Sequence, residues 1–294
     1  MLSKYAIFCN VIETGNFTRT AEHLGYSQSA ISQTVKSLEK EFGLTLIERK
    51  KDGIELTADG AQLFPFIRSI HNAEQSLERK HSEMMNLETG LVRIGTFTSV
   101  SRIYLPRLIK EFKTQYPNVE FVLQQGDYVS VDRWLKEGVI DLGFVNADMA
   151  TTLNPNLHMK HLYVDEMKAI LPKNHPLTTQ TQVTMKQLQK EPFILIDEGE
   201  YSLTLETFRK AGLTPQIEYQ VFDDYSILAM VREGLGISMM YETVLTDVDQ
   251  EIRAMDIKED PKRHVAIGWM HFDTIPIAAQ RFAKHVAQHF EPLK

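Results

Sequence analysis

The chain has 294 residues, 43% of them hydrophobic and 24% charged, which fits a soluble globular protein of about two domains with cores of ordinary size. Its net charge of −7 excludes a surface coated throughout in positive charge, although nucleic-acid binding depends on where the basic residues sit and not on the total. The single cysteine, Cys9, excludes an intramolecular disulfide and a two-thiol redox switch. Its flanks, Ile7-Phe8-Cys9-Asn10-Val11-Ile12, read as helix core, so a buried, inert thiol is expected. No basic leader precedes a long apolar run, and no apolar stretch approaches the ~20 residues that span a bilayer. A cytoplasmic protein with no membrane partner is expected.

In chain order, Tyr5, Phe8, Val11 and Ile12 give one apolar face of a first helix, ended near Gly15. Thr18 is a candidate cap for a second helix with Ala21 and Leu24 inward, ended at Gly25. Ser27 is a candidate cap for a third, with Ala30, Ile31, Val35 and Leu38 inward. Two short helices joined by Gly25-Tyr26-Ser27 predict a helix-turn-helix. Leu44–Arg49 and Ile54–Thr57, separated by Lys50-Lys51-Asp52-Gly53, predict a hairpin, a small wing with a basic tip.

From Ala58 to about Leu87 the pattern is helical, with Leu63, Ile67, Ile70, Leu77 and Met84 near heptad spacing. A helix of that length runs ~45 Å, too long for so small a head to cover, so a partner helix and a homodimer or homotetramer are expected. Glu74 and His81 interrupt the seam, and Pro65 is expected to kink or restart the helix at about 3 kcal/mol. Beyond Glu88-Thr89-Gly90 strands alternate with helices. Strands fall at Leu91–Gly95, Val119–Leu123, Leu142–Val145, Met167–Leu171, Phe193–Ile196, Ile217–Val221, Ile237–Met240 and Val265–Trp269. Helices fall around Ile103–Phe112, Val131–Glu137, Leu203–Lys210, Tyr225–Arg232 and Ile277–Phe290, a pattern that predicts doubly wound α/β sheets.

A helix fits the major groove, and residues at its start and on its outer faces reach base edges. Ser27, Gln28, Ser29, Ser32, Gln33 and Lys36 hold those positions on the third helix, and glutamine can pair with adenine in a bidentate way. Arg19, Lys36, Arg49, Lys50 and Lys51 are candidate phosphate contacts, which supply affinity and not sequence choice. Through Thr57 the seven lysines and arginines are matched by seven acids, Glu13, Glu22, Glu39, Glu41, Glu48, Asp52 and Glu55. Charge alone therefore leaves a protein–protein module with a solvated polar face as an equal reading.

The run from Phe8 to Ala21, then Leu24-Gly25-Tyr26-Ser27-Gln28-Ser29-Ala30-Ile31-Ser32, Leu38-Glu39, Phe42-Gly43, Leu46-Ile47-Glu48-Arg49 and Leu56-Thr57-Ala58-Asp59-Gly60 resembles, in order and spacing, the head of LysR-type transcriptional regulators. Thr20 stands where that family usually has alanine, and Ile47 where it usually has phenylalanine. The resemblance implies a multidomain α+β and α/β architecture. A winged helix-turn-helix over 1–60 is followed by a linker and dimerisation helix over 61–88. An effector-binding domain like a periplasmic binding protein covers 89–294. Its subdomain one takes 89–162 plus 269–294 and its subdomain two 163–268. Arg232-Glu233-Gly234-Leu235-Gly236-Ile237-Ser238 matches the family's helix-to-strand turn. The implied partners are double-stranded promoter DNA, a small-molecule effector and RNA polymerase.

Open α/β sheets bind ligands beyond the carboxyl ends of their strands. Those ends carry Thr96, Thr98, Ser99, Gln125 and Asn146 in the first subdomain, and Asp197, Glu198, Asp223 and Asp224 in the second. Thr98 and Ser99 also sit at a helix start, where they either favour an anion or simply cap the helix. The acidic second lip repels a purely anionic effector unless Arg102 or Arg133 compensates, so a small polar ligand with an acid end and a cationic or hydroxyl end is expected. His158-x-x-His161 and His285-x-x-x-His289 lack the further ligands of a metal site and read as surface histidines. No glycine-rich cofactor loop, phosphate-binding loop or nucleophile elbow occurs, so no enzyme, metal or cofactor is expected.

Overall fold

The computed structural model describes residues 2–50, 53–85, 90–199, 201–246 and 250–290, with the side chains of 82–85 outside the description. Two compact units divide the chain, 1–86 with 136–139, and 87–135 with 140–294.

In the first unit, α1 (Lys4–Thr14) starts at Ser3, whose hydroxyl accepts from the Ala6 N–H. Helix α2 (Phe17–Leu24) is capped by Asn16 and not by Thr18: the Asn16 side chain accepts from the Thr18 and Arg19 N–H groups. Two donors met by one amide oxygen make the asparagine the better cap. Helix α3 (Gln28–Phe42) begins at Ser27, as its cap position predicts. Gly25, with φ 71°, makes the left-handed turn between α2 and α3 that a side chain would strain. Thr20 is fully buried, but its hydroxyl bonds the Asn16 carbonyl at 2.8 Å and meets the Thr14 hydroxyl at 2.6 Å. That pairing lets threonine stand where the resemblance expects alanine, since a buried hydroxyl is costly only when unpaired.

Strands β1 (Ile47–Lys50) and β2 (Gly53–Leu56) form the antiparallel wing, while Lys51 and Asp52 of its tip lie outside the described residues. Phe8, Val11, Ile31, Val35, Leu38 and Leu46 build the core under the helices, with Cys9 buried among them. Helix α4 (Ala58–Met85) runs unbroken through Pro65, against the expected restart. Proline removes only one N–H from the ladder, and the turns on either side carry the helix across it.

In the second unit the chain runs β3 (Gly90–Thr96), α5 (Thr98–Ile103), α6 (Leu105–Gln115), β4 (Val119–Gln125), α7 (Tyr128–Lys136), β5 (Leu142–Asn146) and α8 (Ala147–Leu153). The long strand β6 (His158–Pro172) then leads to β7 (Gln182–Val183), α9 (Met185–Leu188), β8 (Pro192–Ile196), α10 (Leu203–Lys210) and β9 (Gln216–Val221). Helix α11 (Asp224–Arg232), β10 (Ser238–Tyr241), β11 (Ile252–Ile257), β12 (Lys262–Trp269) and α12 (Ile277–His289) complete it. The helix expected around Ile103–Phe112 is two helices, meeting at Tyr104 just before Pro106. Strands β7 and β11 and helices α8 and α9, unforeseen in the sequence, are short or mixed in polarity and give little periodic signal.

The main sheet has the order β4-β3-β5-β12-β6-β11-β7, with β10 also on β6 and β8-β9 as a separate parallel pair. Strand β6 changes partner midway: residues 158–166 pair with β12, and 167–172 with β10 and β11. One core gathers Val92, Leu108, Phe144, Val265, Ile267 and Phe282, and the other Ile170, Phe193, Phe208, Ile227, Val231 and Met239. Val265–Gly268, expected in subdomain two, belong to the first core instead, because β12 pairs with β5 from Val265 to Gly268. Which core such a strand joins is set by the strands it pairs with, and its own sequence carries no mark of that choice. Among the described residues no helix is long and apolar enough to cross a membrane.

Candidate functional sites

Helix α3 seals Ile31, Val35 and Leu38 into the head and leaves Gln28, Ser29, Gln33 and Lys36 exposed, with Ser32 half-buried. The Ser27 hydroxyl is occupied in capping the helix, accepting from the Ala30 N–H at 3.2 Å. On α2, Arg19 is exposed. In the wing, the Arg49 guanidinium lies over the Phe17 ring at 5.4 Å, which holds it against α2. Lys50 is shared between Glu48 at 3.2 Å and Glu55, so its charge is partly answered within the wing.

Along α4 the expected seam splits. Leu63 and Ile67 pack into the head's own core, Ile67 at 2% exposure, whereas Ile70 and Leu77 face outward at 41% and 72%. The side chain of Met84 lies outside the description. The outward apolar row is Phe66, Ile70, Ala73 and Leu77, spaced by four, three and four residues as in a coiled-coil seam. Sequence spacing merges two rows that lie one position apart on the helix.

In the second unit, the strand ends of the two subdomains face a cleft of about 440 Å³. At its floor stands Arg263 of β12, 2% exposed, in register with Asp165 of β6. Arg263 Nη2 donates to Asp165 Oδ2 and to Ser99 Oγ, each at 2.6 Å, and Nη1 donates to Tyr128 Oη at 2.6 Å. Its guanidinium lies over the rings of Tyr241 and Phe97, with centroids 3.5 and 4.5 Å away. Asp165 Oδ1 accepts in turn from the Thr243 N–H and hydroxyl, at 3.1 and 2.7 Å. This network gathers residues of both subdomains at the crossing strands. Burial pushes the Tyr128 phenol up to about 12 and the Tyr241 phenol well above its usual range, so both remain neutral donors and acceptors.

Glu198 also lines the cleft. The residue as a whole is half-buried, but its Oε2 is shielded and has no hydrogen-bond partner among the described residues. Burial pushes its carboxyl up to about 7, against the opposing pull of Arg263. Burial also raises Asp224, with the Thr98 hydroxyl and Arg263 acting in the other direction.

Two sequence models match the chain: the LysR substrate binding domain over residues 86–291, and the lysR family of bacterial regulatory helix-turn-helix proteins over 2–61. The chain belongs to the LysR family of transcriptional regulators. It is 31% identical to the uncharacterized HTH-type transcriptional regulator YvbU of Bacillus subtilis, over 98% of both chains. The crystal structure of CbnR with its target DNA is similar at a TM-score of 0.68 and 21% identity, covering 97% of this chain and 98% of that one. The regulatory domain of CcmR from Synechocystis PCC6803, solved in complex with 2-PG, is similar at 0.62 and 20% identity over 70% of this chain and 99% of its own. LysR regulators combine a DNA-binding head with an effector-binding domain and are not enzymes.

Of the effector-site residues expected from strand ends, Thr98, Ser99, Gln125, Asp197 and Glu198 line the cleft. Three do not. Thr96 is fully buried beneath it, Asn146 caps α8 by accepting from the Asp148 N–H, and Asp223 caps α11 by accepting from the Ser226 N–H. Asp224, one residue on, takes the cleft position expected of Asp223. Thr98 and Ser99 do not cap α5, whose N-cap is Phe97 without a side-chain bond. Their hydroxyls instead accept from Gln125 Nε2 at 2.9 Å and from Arg263. The expected compensating cations lie elsewhere: Arg102 rests over the Tyr225 ring at 4.1 Å, and Arg133 is exposed. Arg263 itself is not among the residues that sequence reasoning singles out. Its one sequence signal is that it stands two and four residues before Val265 and Ile267, on the inward side of a strand where a cation is out of place.

Proposed function

We propose that this LysR-type regulator acts in the cytoplasm as a homodimer or homotetramer that reads double-stranded promoter DNA with α3 and responds to a small polar effector held in the cleft. The observation that carries the reading is α3 itself, whose inner face is sealed in the head while Gln28, Ser29, Gln33 and Lys36 stand exposed along its start and outer faces. Gln28, Ser29, Ser32 and Gln33 contact base edges. Arg19, Lys36, Arg49, Lys50 and Lys51 contact phosphates, and Ser27 sets the start of the helix. Pairing along Phe66, Ile70, Ala73 and Leu77 of α4 places two heads on half-sites related by a two-fold axis, one helical turn or a multiple apart, roughly 34–36 Å per turn. The DNA complex of CbnR and the 2-PG complex of CcmR support the two halves of this reading.

The effector acts by biasing two arrangements of the crossing strands, which shifts the population of heads set for one spacing and so recruits or hinders RNA polymerase. Footprinting upstream of the protein's own gene and its neighbours tests the reading. Wild type is expected to protect a two-fold site, and Gln28→Ala and Gln33→Ala to relax its sequence choice, each glutamine–base pairing being worth about 1–3 kcal/mol of discrimination. Equal losses on specific and random DNA would show that α3 is not the reader.

A further inference from the structure

The geometry points to an effector that enters the cleft as a small organic cation, an amine whose ammonium group pairs with the shielded carboxylate of Glu198. This rests on the cleft being the effector site. Among the described residues the cleft wall carries four carboxylates, Asp127, Asp197, Glu198 and Asp224, and one cation, Arg263. That cation is already committed: Asp165 takes its Nε and Nη2, Ser99 a further Nη2 hydrogen and Tyr128 an Nη1 hydrogen. The Tyr241 and Phe97 rings also pack against it. Arg263 is therefore a built-in part of the floor and not a free receptor for an anion.

Three of the acids are also engaged. Asp127 accepts from the Ser130 N–H at 2.6 Å, Asp197 from the Gly199 N–H and Gln220 Nε2 at 3.0 Å each, and Asp224 from Thr98. The Glu198 carboxyl accepts from the Leu203 backbone N–H, yet its Oε2 is shielded from water and has no hydrogen-bond partner among the described residues, in a residue that lines open space. A shielded acceptor without a donor is costly, and a ligand that brings one gains that cost back on binding. An ammonium brings both donors and the opposing charge. The 440 Å³ of space fits a molecule of several heavy atoms rather than a bare ion, and exposed Phe222 adds an aromatic face for its methylenes. The titratable groups facing Glu198 are Asp224, Arg263, Tyr128, Tyr201 and Tyr241. Of the carboxyls and phenols among them, the Tyr128, Tyr201 and Tyr241 phenols stay neutral between pH 6 and 8.

Isothermal titration of the full chain with 1,5-diaminopentane, with glutarate as the dianion of matched length and with magnesium chloride tests the assignment at pH 6 and pH 8. The diamine is expected to bind, and more tightly at pH 8 by up to about tenfold, as Glu198 ionises around 7. Glu198→Gln is expected to weaken it at least tenfold and flatten its pH dependence, with an unfolding temperature no lower than wild type as the check on folding. Preferential binding of glutarate, blocked by the cleft-filling Thr98→Trp, overturns the amine assignment and leaves the cleft as the effector site. Preferential binding of magnesium, or diamine affinity unchanged in Glu198→Gln, also overturns the amine assignment. Binding by none of the three overturns both the assignment and the effector cleft.

Discussion

Arg263 and Asp165 are direct cross-strand partners on β12 and β6, joined at 2.6 Å with both side chains almost wholly buried. The pair lies where β6 passes from one subdomain's sheet to the other's, and Thr243 and Tyr241 of one side and Ser99 and Tyr128 of the other close upon it. Removing one member leaves the other charge buried and unanswered. Arg263→Ala or Asp165→Ala is expected to cost about 3–5 kcal/mol, whereas the double change Arg263→Met with Asp165→Leu recovers much of that loss. Urea unfolding followed by circular dichroism measures both. A double variant as unstable as the worse single would show that the pair matters through shape and not through charge.

Glu198 gives the regulatory unit a pH dependence of defined sign. Its folded value, about 7, lies above the ordinary 4.5, so the folded state holds the proton more tightly than the unfolded chain. The contribution is therefore fully present below about pH 4.5 and is lost as pH rises through 7. Against Glu198→Gln, which cannot ionise, wild type is expected to lose on the order of 2 kcal/mol between pH 5 and pH 8, discounted for the part of the residue that meets water. Calorimetric scans of both proteins across that range check the slope. Parallel curves would refute it.

Gly60 is where α4 leaves the wing, and there the helix approaches Leu46 so closely that a Cβ would stand 1.9 Å from the Leu46 carbonyl oxygen. Backbone cannot rotate out of the way as a side-chain tip can. Gly60→Ala, elsewhere a helix-favouring change, is expected to destabilise the head by roughly 2 kcal/mol or more, the upper part of the overpacking range. Loss of helicity at a lower denaturant concentration is the readout, and a stabilised variant would show that the backbone yields easily there.

Two aliphatic positions on α4 are expected to respond in opposite ways. Ile67→Ala opens the head's core and costs about 2–5 kcal/mol of stability, with the oligomeric state unchanged wherever the chain is folded. Leu77→Glu, at an exposed position, leaves each head folded and shifts the protein toward monomer. Light scattering paired with circular dichroism separates the two. Dissociation by Ile67→Ala without unfolding would return that residue to the pairing seam.

Much of the head is legible in the sequence because each of its signals is local. Ser27 caps α3, Gly25 turns the chain before it, and the inward row of Ile31, Val35 and Leu38 follows from helical period alone. Asn16 and Thr18 are both good caps two positions apart, and only the backbone shows which oxygen meets the free N–H groups. On α4 the period predicts the helix but not its registration: Leu63 and Ile67 point into the head, a choice made by what the helix packs against.

What the sequence determined by itself was the cleft's acidic wall and most of the residues at its strand ends, because the ends of parallel strands in an open sheet gather there whatever the details of packing. Its floor was decided by tertiary structure alone. Arg263 lies 98 residues from Asp165, 135 from Tyr128 and 164 from Ser99. No local period links such positions; they meet because β6 and β12 cross side by side between two subdomains, and low-dielectric burial then strengthens every bond the guanidinium makes. Asp223 and Asp224 show the same division at a single step. Both are acids at one strand end, and the direction of α11 assigns the first to capping the helix and the second to the cleft.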